Sequence, residues 1–163
     1  MKIKYIIIFI LLALVFIMSF IILSNKHHKS TTKDINKIKQ KQEEGDNIRL
    51  NMTVNHTAYT VVLEDNETAR ELVRMLPLTL EMNELNGNEK YYYFDTSFST
   101  NEENIGMIQN GDLMIYGNNC LVLFYDSFST TYRYTRVGYV ENAENLASIL
   151  GNSAITITLE QKK

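Results

Sequence analysis

Few residues of this chain have the types and spacing that bond-making chemistry requires. Its one cysteine, Cys120, lies in an apolar, strand-like run with no histidine nearby, the setting of a buried core thiol. Asp95, in Asp95-Thr96-Ser97, would need a second carboxylate from a partner chain to share a proton. Glu102 and Glu103 are neighbours on one loop-like segment, which suits solvation better than acid–base work. His56 stands at an expected hairpin tip without a companion. His27 and His28 are adjacent in a cationic tract that lacks further ligands. There is no Walker loop, no GxGxxG and no zinc spacing, so no metal, cofactor or catalytic residue is expected.

The residues that do suggest chemistry suggest recognition. From Gly111 to Phe128 the chain reads GDLMIYGNNCLVLFYDSF, two apolar runs flanking a Gly-Asn-Asn turn. Such a hairpin belongs in the middle of a sheet, and its rim carries Tyr116, Asn118, Asn119, Tyr125 and Ser127. Gln109 just before it, and Tyr132 and Arg133 just after it, complete the candidate ligand-binding set. Tyrosine offers wide contact area at low entropic cost plus one hydroxyl, which suits a peptide or small ligand. Tyr91, Tyr92 and Tyr93 are consecutive, so strand alternation must send at least one ring outward.

The elements that position these residues begin at Asn47. Ile48, Leu50, Met52 and Val54 alternate with polar residues, and Asn55-His56-Thr57 turns the chain into a partner strand with Tyr59, Val61 and Leu63. Asp65-Asn66 offers a helix cap, Ala69, Leu72, Val73 and Leu76 form an inner stripe, and Pro77 ends the helix. Leu78 to Met82 and Lys90 to Phe94 read as strands around an Asn86-Gly87-Asn88 turn. Asp95 to Asn110 reads as a long irregular stretch. Tyr132 to Val140 reads as a strand, Asn142 as the cap of a helix stopped by Gly151, and Ala154 to Glu160 as a closing strand. About eight strands with two short helices predict a mainly β (α+β) fold, a small barrel with helical plugs.

Upstream of the barrel, Tyr5 to Leu23 is apolar except for Tyr5 and Ser19 and carries no charge. As a helix, these residues would span about 28 Å, close to the roughly 30 Å hydrocarbon core of a bilayer. Its exit lacks a small-x-small cleavage site, and no lipoprotein cysteine directly follows it, so residues 1–24 are expected to be a retained single-pass anchor, with a cleavable signal peptide as the alternative. Residues 25–46 form a polar, Lys-rich linker, and residues 47–163 a folded domain. The short N-terminal tail before the anchor suits an inside N-terminus and an extracytoplasmic domain at the cell membrane. Lysines after the span pull the other way under the positive-inside rule.

Charge divides at the same boundary. Residues 1–46 hold eight of the 16 Lys and Arg and four of the 19 Asp and Glu, a net of +4; residues 47–163 hold the remainder, a net of −7. An acidic domain is poorly suited to a phosphate backbone, so nucleic acid is excluded as the expected partner.

Several blocks, in order, resemble the bacterial cyclophilin-like fold proteins: Leu63-Glu64-Asp65-Asn66-Glu67-Thr68-Ala69, Leu76-Pro77-Leu78-Thr79-Leu80, Asn86-Gly87-Asn88-Glu89-Lys90, Gly111-Asp112 with Leu123-Phe124-Tyr125, and Arg136-Val137-Gly138. The resemblance spans residues 48–160 and implies a closed cyclophilin-like barrel. Met107-Ile108-Gln109-Asn110-Gly111-Asp112 is similar to a segment of true cyclophilins. In that comparison the catalytic arginine falls on Asn101 and the pocket phenylalanine on Gly106. Prolyl isomerisation needs a donor at the amide and an apolar pocket for the ring, and both matching positions lack them. The expected function is therefore membrane-anchored, noncatalytic binding of a peptide or small ligand. The alternative is a weak peptidyl-prolyl isomerase acting on envelope proteins, with Arg133 or Arg136 as substitute donor.

Overall fold

The structure, a computed structural model, describes residues 47–162. The expected span Tyr5–Leu23, the linker and the His27-His28 pair lie outside the described residues. Among the described residues no helix is long and apolar enough to cross a membrane.

Strands β1 (Arg49–Val54) and β2 (Thr57–Leu63) form the expected hairpin. Asn55 and His56 take positive φ values of 46° and 68°, the double left-handed turn whose twist matches that of paired strands. Helix α1 (Glu67–Arg74) follows. The Asn66 side chain accepts from the Ala69 N–H at 2.9 Å and donates to the Arg136 carbonyl at 2.8 Å, so the cap also ties the helix to the sheet. Next come β3 (Leu78–Leu85), β4 (Glu89–Tyr93), the short β5 (Glu103–Asn104) and β6 (Met107–Ile108), then β7 (Asp112–Tyr116) and β8 (Cys120–Phe124). The short β9 (Phe128–Ser129), β10 (Arg133–Val140), helix α2 (Leu146–Leu150) and β11 (Ile155–Gln161) complete the chain.

The strand order β2-β1-β11-β3-β4-β8-β7-β10, with β10 pairing back onto β2, is a closed, eight-stranded antiparallel barrel. Closure depends on Gly138, where a Cβ would sit 2.3 Å from the Val62 carbonyl oxygen. The β7–β8 hairpin lies between β4 and β10, in the middle of the wall as its apolar runs predict. The stretch expected to be irregular, Asp95 to Asn110, contains the two-residue strands β5 and β6. The first pairs with β10, and the second forms a separate ribbon with β9.

One local expectation needs correction. Asn142 makes no side-chain cap; it takes a left-handed conformation (φ 55°) as the chain leaves β10, which asparagine tolerates. A 3₁₀ turn (Ala143–Asn145) therefore precedes a five-residue helix, and Gly151 ends it with its N–H on the Ala147 carbonyl.

Inside the barrel, Leu50, Met52, Leu80, Met82, Leu121 and Leu123 belong to one buried cluster. Helix α1 joins β2 to β3 at one mouth, and α2 joins β10 to β11 at the other. Ala69 and Leu72 fill the first mouth, and Leu146 and Leu150 the second. Each barrel strand finds both neighbours within residues 49–161, so the barrel closes on itself and covers its own core.

The α2 mouth carries a buried charge. The Lys90 ammonium, 0% exposed, pairs with Glu84 and donates to the Gly151 and Ser153 carbonyls at 2.7 and 2.8 Å. Glu84 also accepts from the Tyr125 hydroxyl and the Gly87 N–H, both at 2.7 Å. Burial alone would raise the Glu84 pKa, but Lys90, Tyr125 and Gly87 outweigh it and hold the carboxyl below its ordinary value. Replacing Lys90 by Met should cost about 3 kcal/mol, the lower end for a broken buried pair because Glu84 keeps some contact with water. Neutralising both members in Lys90→Met/Glu84→Gln should recover at least half of that loss. Urea unfolding of residues 47–163 measures both values, and equal losses in the single and double variants would show that charge compensation is not what holds this mouth.

Candidate functional site

The outer face of β4, β8 and β7 is also largely apolar, with Met114, Cys120, Val122 and Phe124 buried on it. Alternation along β4 sends Tyr92 inward with Lys90, and Glu89, Tyr91 and Tyr93 outward. Across the wall, Tyr93 lies opposite Cys120 and Cys120 opposite Tyr116, while Tyr91 lies opposite Val122 and Val122 opposite Met114. The β6–β9 ribbon covers part of this face, and Ile108, Met114, Val122, Phe124 and Tyr134 form a second buried cluster beneath it.

Where the ribbon stops, a groove remains. Its volume is about 610 Å³, within the roughly 300–1,000 Å³ of small-molecule sites. The wall strands contribute Tyr91, Tyr93, Tyr116 and Tyr134, the 128–132 segment contributes Phe128 and Tyr132, and the β3–β4 turn closes one end with Leu85, Asn88 and Glu89. The rings meet edge-on or tilted: Tyr91–Tyr93 at 5.7 Å, Tyr116–Tyr134 at 5.5 Å and Tyr116–Tyr132 at 6.1 Å. Tyr93 and Tyr132 remain 59% and 63% exposed, an unusual cost in solvated aromatic surface for one small wall.

Among the described residues the groove lining carries one acidic side chain, Glu89, and no basic one. Burial raises the Glu89 pKa, and the Glu84 charge raises it further. The Tyr134 hydroxyl is pushed up to about 12 by burial and then by Glu89. Burial also raises the Cys120 thiol, and the neighbouring Cys120 raises Tyr93. At neutral pH the thiol is therefore protonated, with a tyrosine and not a base beside it. Among the described residues no group of three or more His, Cys, Asp or Glu is placed to hold a metal ion. This arrangement can hold a ligand by ring contact and charge.

The cyclophilin-like family model matches residues 52–160. The chain belongs to the cyclophilin-like family. Among solved structures, a hypothetical protein from Archaeoglobus fulgidus has the same fold: 17% identity and a TM-score of 0.50, over 72% of this chain and 99% of that one. No curated protein matches the chain.

In this cyclophilin-like barrel the sequence-derived candidates separate. Tyr116 and Tyr132 line the groove. Asn118 and Asn119 instead hold the loop after β4. The Asn118 carbonyl accepts from the Phe98 N–H, and the Asn119 side chain donates to the Phe94 carbonyl. Tyr125 points into the barrel, onto Glu84. The Ser127 hydroxyl accepts from the Asn110 N–H, the Gln109 N–H donates to Asp112, and Arg133 donates to the Glu102 carbonyl. None of these six lines the groove. Nor do Asn101 and Gly106, the positions that match the cyclophilin arginine and phenylalanine. Asn101 sits instead beside α1, its N–H on the Thr135 hydroxyl.

Glu89, Tyr91, Tyr93 and Tyr134 are groove residues outside the candidate set. The signal for the first three was the period of two around Lys90; Tyr134 needed the pairing of β10 with β7.

Because the folded state raises the Glu89 pKa, the protonated carboxyl favours folding. That advantage is complete below the ordinary carboxylate range, and it is lost as pH rises through the raised folded value. Glu89→Gln should therefore melt at a higher temperature than the parent at pH 7.5, and the gap should close toward pH 4. Thermal melts at the two pH values check this; a gap that widens on acidification would reverse the sign assigned to the site.

Proposed function

We propose that this cyclophilin-like barrel is a recognition domain that binds a peptide or small ligand in the outer tyrosine groove, without chemistry on it. The apolar segment Tyr5–Leu23 would hold it at the outer side of the cell membrane. The observation that carries the reading is the groove itself, with six aromatic rings around about 610 Å³ and two of them largely in solvent. Support against isomerase chemistry comes from Asn101 and Gly106 at the cyclophilin positions, and from the engagement of both substitute arginines elsewhere. Arg133 reaches the Glu102 carbonyl, and Arg136 pairs with Glu103 at 3.1 Å.

A fragment screen followed by amide chemical shifts on residues 47–163 should give responses centred on Tyr91, Tyr93, Tyr116 and Tyr132. Tyr116→Ala should weaken the best fragment by about tenfold, or ~1.4 kcal/mol, the scale of one lost aromatic contact. The absence of any localised response would replace the binding role with a structural one. In a proline-peptide assay the domain should not accelerate isomerisation; turnover that disappears in Arg133→Ala or Arg136→Ala would establish the alternative.

Membrane placement has its own test on the full chain. A cysteine introduced at Ser30 in a Cys120→Ala background should react with an impermeant maleimide in intact cells. Labelling only after permeabilisation would turn the domain to the cytoplasmic side.

A further inference from the structure

We propose that the groove takes a positively charged nitrogen, an amine or guanidinium carried on an apolar body, with Glu89 as its counter-ion. This rests on the binding role given to the groove and names the ligand class. Among the described residues, Glu89 is the only charged side chain that lines the groove, and no Lys, Arg or His does. Among the described residues it has no ion pair and no hydrogen bond, although it is half-buried. Several basic side chains of the barrel pair with other carboxylates. Lys90 faces the other side of the strand and pairs with Glu84, Arg136 pairs with Glu103, and Arg70 and Arg74 pair with Glu67.

A half-buried carboxylate beside aromatic faces, with no internal partner, is complementary to an external cation. Tyrosine faces attract a cation through the ring quadrupole, and the attraction strengthens as water leaves the site. A cation in the groove supplies the counter-charge that Glu89 lacks. A neutral apolar ligand would further desolvate an uncompensated carboxylate, and an anion would meet its charge directly.

Three probes that share one body separate these cases: 4-phenylbutylamine, 4-phenylbutanol and 4-phenylbutyrate. Each is titrated into residues 47–163 at pH 7.5, with amide shifts as the readout. The amine should move groove resonances and bind at least tenfold more tightly than the alcohol, with the carboxylate weakest. Glu89→Gln, isosteric and with a folded spectrum as control, should bring the amine within about twofold of the alcohol, by weakening the amine and relieving the alcohol of the cost of desolvating a carboxylate. Tyr132→Leu, at an exposed ring, should weaken the amine severalfold.

Equal binding of amine and alcohol would overturn the proposal. So would a preference for the carboxylate, or an amine preference that survives in Glu89→Gln. In each of these cases shifts in the groove would leave its binding role standing. Failure of all three probes to move groove resonances also overturns the cation site, and the fragment screen then decides the groove itself.

Discussion

Burial of the Lys90 ammonium at the α2 mouth organises both sides of the barrel wall. A fully buried ammonium persists only with strong partners, and here they come from three places in the chain: Glu84 on β3, and the Gly151 and Ser153 carbonyls between α2 and β11. These bonds pin the β3–β4 hairpin to the segment that closes the mouth. They also set which residues of β4 face outward. With Lys90 inside, Glu89, Tyr91 and Tyr93 must lie on the outer face, since a slip of one residue would exchange the two sets. The groove is thus a consequence of where one charge is buried.

Interior and groove treat polar groups in opposite ways. Inside, Glu84 has a cation, a hydroxyl and an N–H around it. Outside, Glu89 has no partner among the described residues, and Tyr93 and Tyr132 present rings to water. Stability alone would favour the first pattern at both places. A site whose groups are left uncompensated in the free protein gains most when a complementary ligand arrives, and natural binding sites often trade stability in this way.

Membership in the cyclophilin-like family fixes the barrel and leaves the chemistry to the site, since one fold hosts unrelated functions. In this chain the positions that resemble those of the cyclophilin donor and pocket ring carry an amide and a glycine, and neither lines the tyrosine groove. The ribbon of β6 and β9 shapes that groove by covering only part of an apolar outer wall. The 128–132 segment that leaves this ribbon forms the groove's second side.

The sequence by itself determined the local elements and the barrel's mainly β character. Alternation marked β1, β2 and β11, Asn66 and Pro77 marked the bounds of α1, and the apolar runs around Gly117-Asn119 marked a central hairpin. These signals are local: a period of two, a cap and a turn act within a few residues. Tertiary structure alone decided the site. Tyr125 and Tyr116 look alike in sequence, yet one reaches Glu84 inside and the other lines the groove, because barrel closure gives the wall two unlike faces. Asn142 looks like a cap, but the path out of β10 places it in a left-handed turn. Glu84 on β3 and Glu89 on β4 are both carboxylates close in sequence to Lys90. Alternation puts Glu89 on the face opposite Lys90, but that Lys90 faces inward and meets Glu84 depends on the Gly151 and Ser153 carbonyls, a relation between distant segments that no local pattern encodes.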